Sequence, residues 1–220
     1  MTDLLLKALA AYLLGGLMGG DVMRWLKGGA DLRQEGSGNV GATNALRTRG
    51  PAFAVGVLAI DVGKGVLAAL ALPALQVPHL AQALPQHETG LLCGVAVALG
   101  HCYPLFQKFR GGKGVATLAG VFGALLPAAL PWMLLVFSLA VILTGYVAVA
   151  SIGGALSAFL YAVLGDGGLQ SPNGLFALAM LLLVVFKHRE NILRLLKGSE
   201  HQFRKAMFLH KWLGRGQNAA

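Results

Sequence analysis

Charged side chains are scarce in this sequence of 220 residues. Asp, Glu, Lys and Arg make up only 12% of it, about half their share in an ordinary soluble domain. Apolar residues make up 56%, which excludes a disordered chain. Because so few charges cannot cover a water-facing surface, the composition predicts an integral membrane protein.

Cysteine and acidic residues are also scarce. Cys93 and Cys102 are the only cysteines, which excludes a disulfide scaffold, and no cluster of His and Cys has zinc-finger spacing. We therefore expect no metal and no cofactor. Nine Asp and Glu residues face 18 Lys and Arg residues, for a net charge of +9. In a membrane protein this excess predicts a cytoplasmic face and anionic substrates rather than nucleic acid.

The charge-poor stretches predict seven transmembrane helices. Four of them correspond to apolar runs at 4–23, 51–73, 89–107 and 173–187. Residues 115–165 carry no charge at all. At a rise of about 1.5 Å per residue, this run crosses a bilayer core of about 30 Å more than once. Breaks at Pro127 and Pro131 and at the glycine-rich stretch 145–154 would divide it into three helices.

Positive charge alternates between the predicted connections. The connections at 74–88, 127–131 and 166–172 contain no Lys or Arg, whereas the intervening connections and the C-terminal segment are basic. The positive-inside rule then puts the N-terminus outside and the C-terminus in the cytoplasm. We expect one polytopic membrane domain over 1–220, ending in a short interfacial helix at 198–213. Its polar segments on the cytoplasmic side are 24–50, 107–114, 145–153 and 187–200.

The first polar segment, residues 36–47, is rich in glycine. Exposed backbone N–H groups in such a loop suit phosphate oxygens. Its short polar and basic side chains are Ser37, Asn39, Thr43, Asn44 and Arg47. If a helix begins near Thr43, Thr43 and Arg47 share a face, and Thr43 or Asn39 caps the helix. The alternative is an ordinary glycine-rich turn.

The second polar segment contains Gly111-Gly112-Lys113-Gly114. It resembles part of a P-loop but lacks the Ser or Thr after the lysine and the preceding strand, so an ATPase is not indicated. A glycine loop with Lys113 that opens a helix remains an anion-site candidate. The alternative is a positive-inside anchor. His101, near the end of the preceding helix, is interpreted as structural.

Two further pairs and one serine complete the candidates. His188 and Asn191 share a helix face, beside a possible pair of Glu190 with Arg194. Ser151 is interpreted as a backbone-bonded serine near a helix end. Asp61 and Lys64, three residues apart within a span, are expected to pair and to support the first polar segment.

The polar segments together resemble the signature motifs of the bacterial acyl-phosphate:glycerol-3-phosphate acyltransferases, the PlsY family. The resemblance runs through 36–47, 100–117 and 188–200. It implies an enzyme of the bacterial cytoplasmic membrane that transfers a fatty acyl group from acyl-phosphate to the sn-1 hydroxyl of glycerol 3-phosphate. The implied products are lysophosphatidic acid and phosphate, in the first acylation of phospholipid synthesis. The implied active site faces the cytoplasm, and the bilayer is the only other partner expected: no nucleic acid and no obligatory protein.

The resemblance also implies the site residues. The catalytic ones are Ser37, Arg47, Lys113 and His188, and the substrate-binding ones are Asn39, Thr43, Asn44, Gly112, Gly114, Ser151 and Asn191. Position 148 is alanine, where relatives commonly carry serine. Two proton acceptors remain open: His188 as a general base, or the phosphate of acyl-phosphate itself. The second, substrate-assisted route is favoured.

Two rival functions are weaker. A transporter or channel for a small anion such as phosphate needs polar residues through the depth of several spans, and residues 115–165 have few. A non-catalytic lipid-binding subunit explains the charge but not the Gly-Gly-Lys-Gly sequence. No histidine is followed five residues later by Asp, so the His–Asp mechanism of the other large acyltransferase superfamily is not available.

Overall fold

All regular structure in the described part of the chain is helical. The computed structural model describes residues 1–165, 167–203 and 207. The chain divides into a first unit, Met1–Pro127, and a second unit, Ala128–Ala220. The predicted all-α class is confirmed for these residues.

The first unit is built from α1 (Thr2–Gly15), α2 (Gly19–Lys27), α3 (Ala42–Arg49), α4 (Pro51–Val66), α5 (Leu72–Ala74), α6 (Gln86–Cys102) and α7 (Val115–Leu125). Pro51 occupies the first turn of α4, where its missing N–H costs nothing. A π-helical turn, Leu67–Ala71, joins α4 to α5. Pro51–Ala74 is therefore one long helical segment.

The apolar run predicted as the first span contains a bend, because α1 and α2 meet at an angle of 50°. Two side chains of α4 bind the backbone groups at the bend. Lys64 Nζ donates to the carbonyl oxygens of Gly15 at 2.9 Å and Leu17 at 2.8 Å, and Asp61 Oδ1 accepts from Gly19 N–H at 3.1 Å. These bonds give hydrogen-bond partners to backbone groups at the break, which lipid does not supply.

Helices α4 and α7 pack at close range. A β-carbon on Gly65 would clash with the carbonyl oxygen of Thr117, and one on Gly120 would clash with that of Val62. Small residues permit this approach of two backbones, as is common between membrane helices. The packing fixes the start of α7, and with it the segment that precedes α7.

The second unit consists of α8 (Ala129–Thr144), α9 (Val147–Gly165), α10 (Pro172–Lys187) and α11 (Arg189–Leu196). The two breaks predicted in the uncharged run are confirmed. Helix α7 ends at Leu125, before the prolines, and α8 ends at Gly145, whose φ of 70° suits a glycine. The N-terminus of α10 is capped by Ser171 Oγ, which accepts from Gly174 N–H at 3.0 Å.

Three helical segments are long and apolar enough to cross a membrane: Pro51–Ala74, Gln86–Gln107 and Val147–Gly165. The bent pair of α1 and α2 would make a fourth. Helices α7, α8 and α10 are apolar but shorter. By length and composition, the described residues thus contain three or four candidate spans.

The segment after α11 differs from the predicted interfacial helix at 198–213. Residues 198–203 are not helical. Instead, Phe203 N–H donates to the carbonyl oxygen of Gly145 at 2.7 Å, and Gln202 Nε2 donates to that of Thr144 at 3.1 Å. These bonds tie the segment to the turn between α8 and α9. Residues 204–206 and 208–213 lie outside the described residues.

Candidate active site

Asn44 organises the first polar loop, residues 36–41, which we call the serine loop. Its side chain is 1% exposed. The amide nitrogen donates to the carbonyl oxygens of Leu32, Glu35 and Asn39 at 3.0, 2.9 and 2.8 Å, and Oδ1 accepts from Ser37 N–H at 2.9 Å. Three predicted site residues are thereby brought together. The Asn44 amide shapes the backbone that carries Ser37.

The helix after the serine loop begins without a side-chain cap. Gly41 occupies the N-cap of α3, so the predicted cap by Thr43 or Asn39 is wrong. Asn39 Oδ1 instead accepts from Gly41 N–H at 3.0 Å, within the loop. The predicted helix is confirmed, and Thr43 and Arg47 lie four residues apart in it, both partly buried. Ser37 is exposed.

The second polar loop, residues 110–114, is called the lysine loop. Gly112 N–H donates to the carbonyl oxygen of His101 at 3.1 Å. A β-carbon on Gly112 would clash with the His101 ring, so only glycine fits. Gly114, with φ 79°, is the N-cap of α7. The predicted glycine loop opening a helix is confirmed, and Lys113 lies in it, partly buried.

An ionic cluster that the sequence does not predict connects the two loops. Arg33 Nε donates to the carbonyl oxygen of Arg110 at 3.2 Å. Its guanidinium also binds both oxygens of Asp21, at 2.7 and 3.0 Å, and the carboxylate of Asp31. The hydrogen bond with Asp21 raises the pKa of Arg33. Arg33, three residues before the serine loop, is thus tied to Arg110, the first residue of the lysine loop.

The pKa of Asp31 lies below its ordinary value. Burial alone would raise it. The hydrogen bond from Arg33 N–H and the positive charges of Arg33 and Arg24 outweigh burial. The carboxylate is therefore held ionised at neutral pH.

The predicted pairing of Asp61 with Lys64 is confirmed. Lys64 Nζ lies 2.9 Å from Asp61 Oδ1, and both side chains are buried. Their backbone hydrogen bonds go to the bend between α1 and α2, so support of the serine loop is not direct. His101 Nδ1 lies 3.5 Å from Asp61 Oδ1 and 3.1 Å from Thr117 Oγ1.

In the second unit, Ser151 lies in the second turn of α9. Its Oγ donates to the carbonyl oxygen of Val147 at 2.8 Å, and the side chain is buried. This is the backbone-bonded serine that the sequence predicts. The turn before it is shorter than the predicted 145–153, because α9 begins at Val147.

His188 and Asn191 lie where α10 passes into α11, and both are buried. His188 Nδ1 lies 2.8 Å from the carbonyl oxygen of Val184. Since a carbonyl only accepts, Nδ1 carries the hydrogen and a neutral ring has its lone pair on Nε2.

Asn191 is oriented by Glu200, a residue that is not among the predicted site residues. Asn191 Nδ2 donates to Glu200 Oε1 at 2.7 Å, and Arg194 Nε donates to Glu200 Oε2 at 2.7 Å. Within the described residues Arg194 pairs with Glu200. The sequence predicts a pair of Arg194 with Glu190 instead, and this prediction is wrong. The available signal was that Glu200 ends the third motif segment. Among all the described residues, no group of three or more His, Cys, Asp or Glu side chains could hold a metal ion.

Comparisons with known proteins identify the family. A family model described as glycerol-3-phosphate acyltransferase matches residues 5–198. The glycerol-3-phosphate acyltransferase of Aquifex aeolicus is 41% identical over 195 residues, covering 88% of this chain and 95% of the relative. That of Syntrophotalea carbinolica is 38% identical over 206 residues, covering 93% of this chain and 100% of the relative.

Two crystal structures are also similar. Both are of PlsY, an integral membrane glycerol 3-phosphate acyltransferase. Its glycerol 3-phosphate form has a TM-score of 0.79 and 39% identity, covering 91% of this chain and 95% of that one. Its lysophosphatidic acid form has a TM-score of 0.79 and 36% identity, covering 93% and 98%. With nearly the whole chain matched by sequence and by structure, this protein belongs to the glycerol-3-phosphate acyltransferase family.

Proposed function

We propose that this protein transfers a fatty acyl group from acyl-phosphate to the sn-1 hydroxyl of glycerol 3-phosphate, which yields lysophosphatidic acid and inorganic phosphate. One observation carries the proposal beyond family membership. The first unit contains two glycine-containing loops, each followed by a helix: Arg47 lies in the helix after the serine loop, and Lys113 lies in the lysine loop. Two basic residues beside glycine loops suit a reaction in which both substrates carry a phosphate and one phosphate departs as the leaving group.

The two basic residues stabilise the leaving group. The hydroxyl oxygen of glycerol 3-phosphate attacks the acyl carbon, and the bond from that carbon to the phosphate oxygen breaks. Lys113 and Arg47 neutralise the phosphate as it departs, and backbone N–H groups of the lysine loop, with Gly114, stabilise the oxyanion. The N–H of Gly112 is bound to the His101 carbonyl oxygen, so Gly112 shapes the loop instead. Because acyl-phosphate is a mixed anhydride with a good leaving group, the reaction needs neither a strong general acid nor a cofactor.

The remaining predicted site residues bind and orient the substrates. His188 and Asn191 hold glycerol 3-phosphate, with Asn191 fixed by Glu200. Ser37, with Asn39, Thr43 and Asn44, forms the serine loop and the start of α3, and Ser151 adds a hydroxyl. The departing phosphate accepts the hydroxyl proton, so catalysis depends mainly on positioning. His188 as the base is the alternative, and a normal maximal rate in His188→Gln would exclude it.

We also propose one polytopic domain with seven spans in a bacterial cytoplasmic membrane. Three long segments, the bent pair of α1 and α2, and helices α7, α8 and α10 supply the seven. The N-terminus lies outside, and the C-terminus and the site face the cytoplasm, because Lys and Arg are concentrated in alternate connections. Two single-cysteine variants, Ala83→Cys and Gly28→Cys, test this orientation. Only Ala83→Cys should react with a membrane-impermeant thiol reagent added outside.

The test of the reaction uses purified protein in lipid with acyl-phosphate and glycerol 3-phosphate. We expect phosphate release that requires glycerol 3-phosphate and that falls about 100-fold or more in Lys113→Ala and in Arg47→Ala. Lys27→Ala is the matched control, because Lys27 is an exposed residue at the end of α2. Equal turnover with acyl-CoA would contradict the proposed donor. Phosphate uptake into vesicles without phosphate release would favour the transporter instead.

A further inference from the structure

Four buried polar side chains form a connected group that the proposed reaction does not use. Asp61, Lys64, His101 and Thr117, here called the buried polar group, are 1, 3, 3 and 0% exposed. Ionisable side chains at membrane depth cost several kcal/mol unless they are well paired. Because burying these side chains is costly, we expect the buried polar group to have a function in the contacts it makes.

One end of the buried polar group is fixed to backbone. The Lys64 ammonium has three N–H groups, and it has three partners: Asp61 and the carbonyl oxygens of Gly15 and Leu17. Asp61 also accepts from Gly19 N–H. A polar network satisfied in this way is rigid, so it offers a firm support for whatever contacts it next.

The other end contacts the lysine loop through His101. Its Nδ1 edge lies 3.1 Å from Thr117 Oγ1 and 3.5 Å from Asp61 Oδ1, so α7 and α4 both hold the ring. The opposite edge, Nε2, packs against Gly112 so closely that no β-carbon fits there. The His101 carbonyl oxygen also accepts from Gly112 N–H at 3.1 Å.

We infer that His101, oriented by Thr117 and Asp61, is a positioning residue that fixes the Gly112–Lys113 peptide for phosphate binding. His101 itself does not contact the reacting atoms; it acts through the loop. The inference rests on the proposed function of Lys113. It differs from a purely structural role, under which breaking the group would lower stability but leave the kinetics of the folded enzyme unchanged.

Thr117 offers a clean perturbation, because its hydroxyl and its methyl group can be removed separately. Thr117→Val keeps the shape and removes the hydroxyl that orients His101, whereas Thr117→Ser keeps the hydroxyl and loses the methyl group. Thr89→Val is the matched control: Thr89 is 1% exposed in α6, and its hydroxyl binds only the backbone of Leu84 and Pro85.

The expected result is a split between stability and kinetics. Thr117→Val should lower kcat/KM about tenfold or more, because small displacements of a positioned group are costly. Thr117→Ser should stay within about threefold of wild type despite the lower melting temperature that a lost methyl group causes. Thr89→Val should lower the melting temperature as much as Thr117→Val and leave kcat/KM unchanged. Wild-type kinetics in folded Thr117→Val, or an equal loss in Thr117→Ser, overturns the inference.

A second measurement does not depend on turnover. A cysteine at position 113 reports the loop position through its rate of reaction with a water-soluble maleimide, since Cys93 and Cys102 are buried. Adding Thr117→Val to Lys113→Cys should change that rate by about threefold or more, and adding Thr89→Val should not. An unchanged rate overturns the inference. If the maleimide rate changes but the wild-type protein releases no phosphate, the proposed function is wrong. The coupling between Thr117 and the lysine loop then still holds.

Discussion

The two units use buried polar side chains differently. The first unit buries two ion pairs, Asp3–Lys7 at 3.0 Å and Asp61–Lys64 at 2.9 Å. Its buried Asn44 binds only backbone of the serine loop and the residues before it. In the described part of the second unit the buried polar side chains are Ser151, His188 and Asn191, and no Asp, Glu, Lys or Arg is among them. In the first unit, buried Asn44 and Lys64 bind backbone groups that are distant in sequence. In the second unit, buried Ser151 and His188 bind carbonyl oxygens four residues earlier in the chain.

The largest effect on activity should come from adding a methyl group to the lysine loop of the first unit. Gly112→Ala places a β-carbon against the His101 ring, so the loop must move. We expect kcat/KM to fall about 100-fold. Gly63→Ala is the matched control, because its β-carbon meets nothing within 4 Å and alanine favours a helix. Comparable losses in both variants would show that the loss does not come from the position of the lysine loop.

In the serine loop, two substitutions should differ in their effect on stability. Asn44→Ala leaves three carbonyl oxygens and the Ser37 N–H without their shared partner. We expect a loss of about 2–4 kcal/mol in the free energy of unfolding, together with a loss of activity. Asn39→Ala removes one bond to Gly41 N–H and should cost about 1 kcal/mol. Thermal unfolding in detergent measures both, and equal shifts would refute the central role of Asn44.

The corresponding change in the second unit should be smaller. Glu200→Gln keeps the shape but weakens the bonds to Asn191 and Arg194, because a neutral amide is a poorer acceptor. We expect a cost of about 1–2 kcal/mol and a higher KM for glycerol 3-phosphate. Glu190→Gln, in α11 beside Asn191, is the control and should leave KM unchanged. A KM effect from Glu190→Gln alone would reassign the orienting carboxylate.

The smallest effect concerns Asp31 and pH. Because its pKa is lowered in the folded state, the carboxylate stabilises the fold above its ordinary pKa of about 3.9, and this contribution disappears as the pH falls through the lowered value. Asp31→Asn should therefore lower stability by less than about 1 kcal/mol at pH 7 and by nothing in strong acid. Melting temperatures of both proteins across acidic pH test this. A gap that widens toward low pH would reverse the sign.

Local features were predictable from the sequence, and features made by distant residues were not. Proline and glycine act on their own backbone, so the breaks near Pro127 and Gly145 could be placed. Asp61 and Lys64 are three residues apart on one helix, so their pairing could be predicted as well. The bend between α1 and α2 was missed because Lys64, 49 residues beyond Gly15, binds the backbone there.

The candidate site shows the same division. Its motif residues could be selected because the residue types and order match the family. Their local geometry could not be, because Asn44 binds carbonyl oxygens up to 12 residues away and His101 binds Thr117 16 residues away. Glu200 was missed for the same reason, since only the returning chain after α11 brings it to Asn191.

The bend between α1 and α2 also bears on how the chain is made. Its backbone partners, Asp61 and Lys64, belong to a helix that the ribosome produces later. At about 5–20 residues per second, the 49 residues from Gly15 to Lys64 take roughly 2–10 seconds to synthesise. During that interval the first helical pair lacks the groups that complete its hydrogen bonds. The backbone hydrogen bonds at this bend are therefore completed only after Lys64 of α4 has been synthesised.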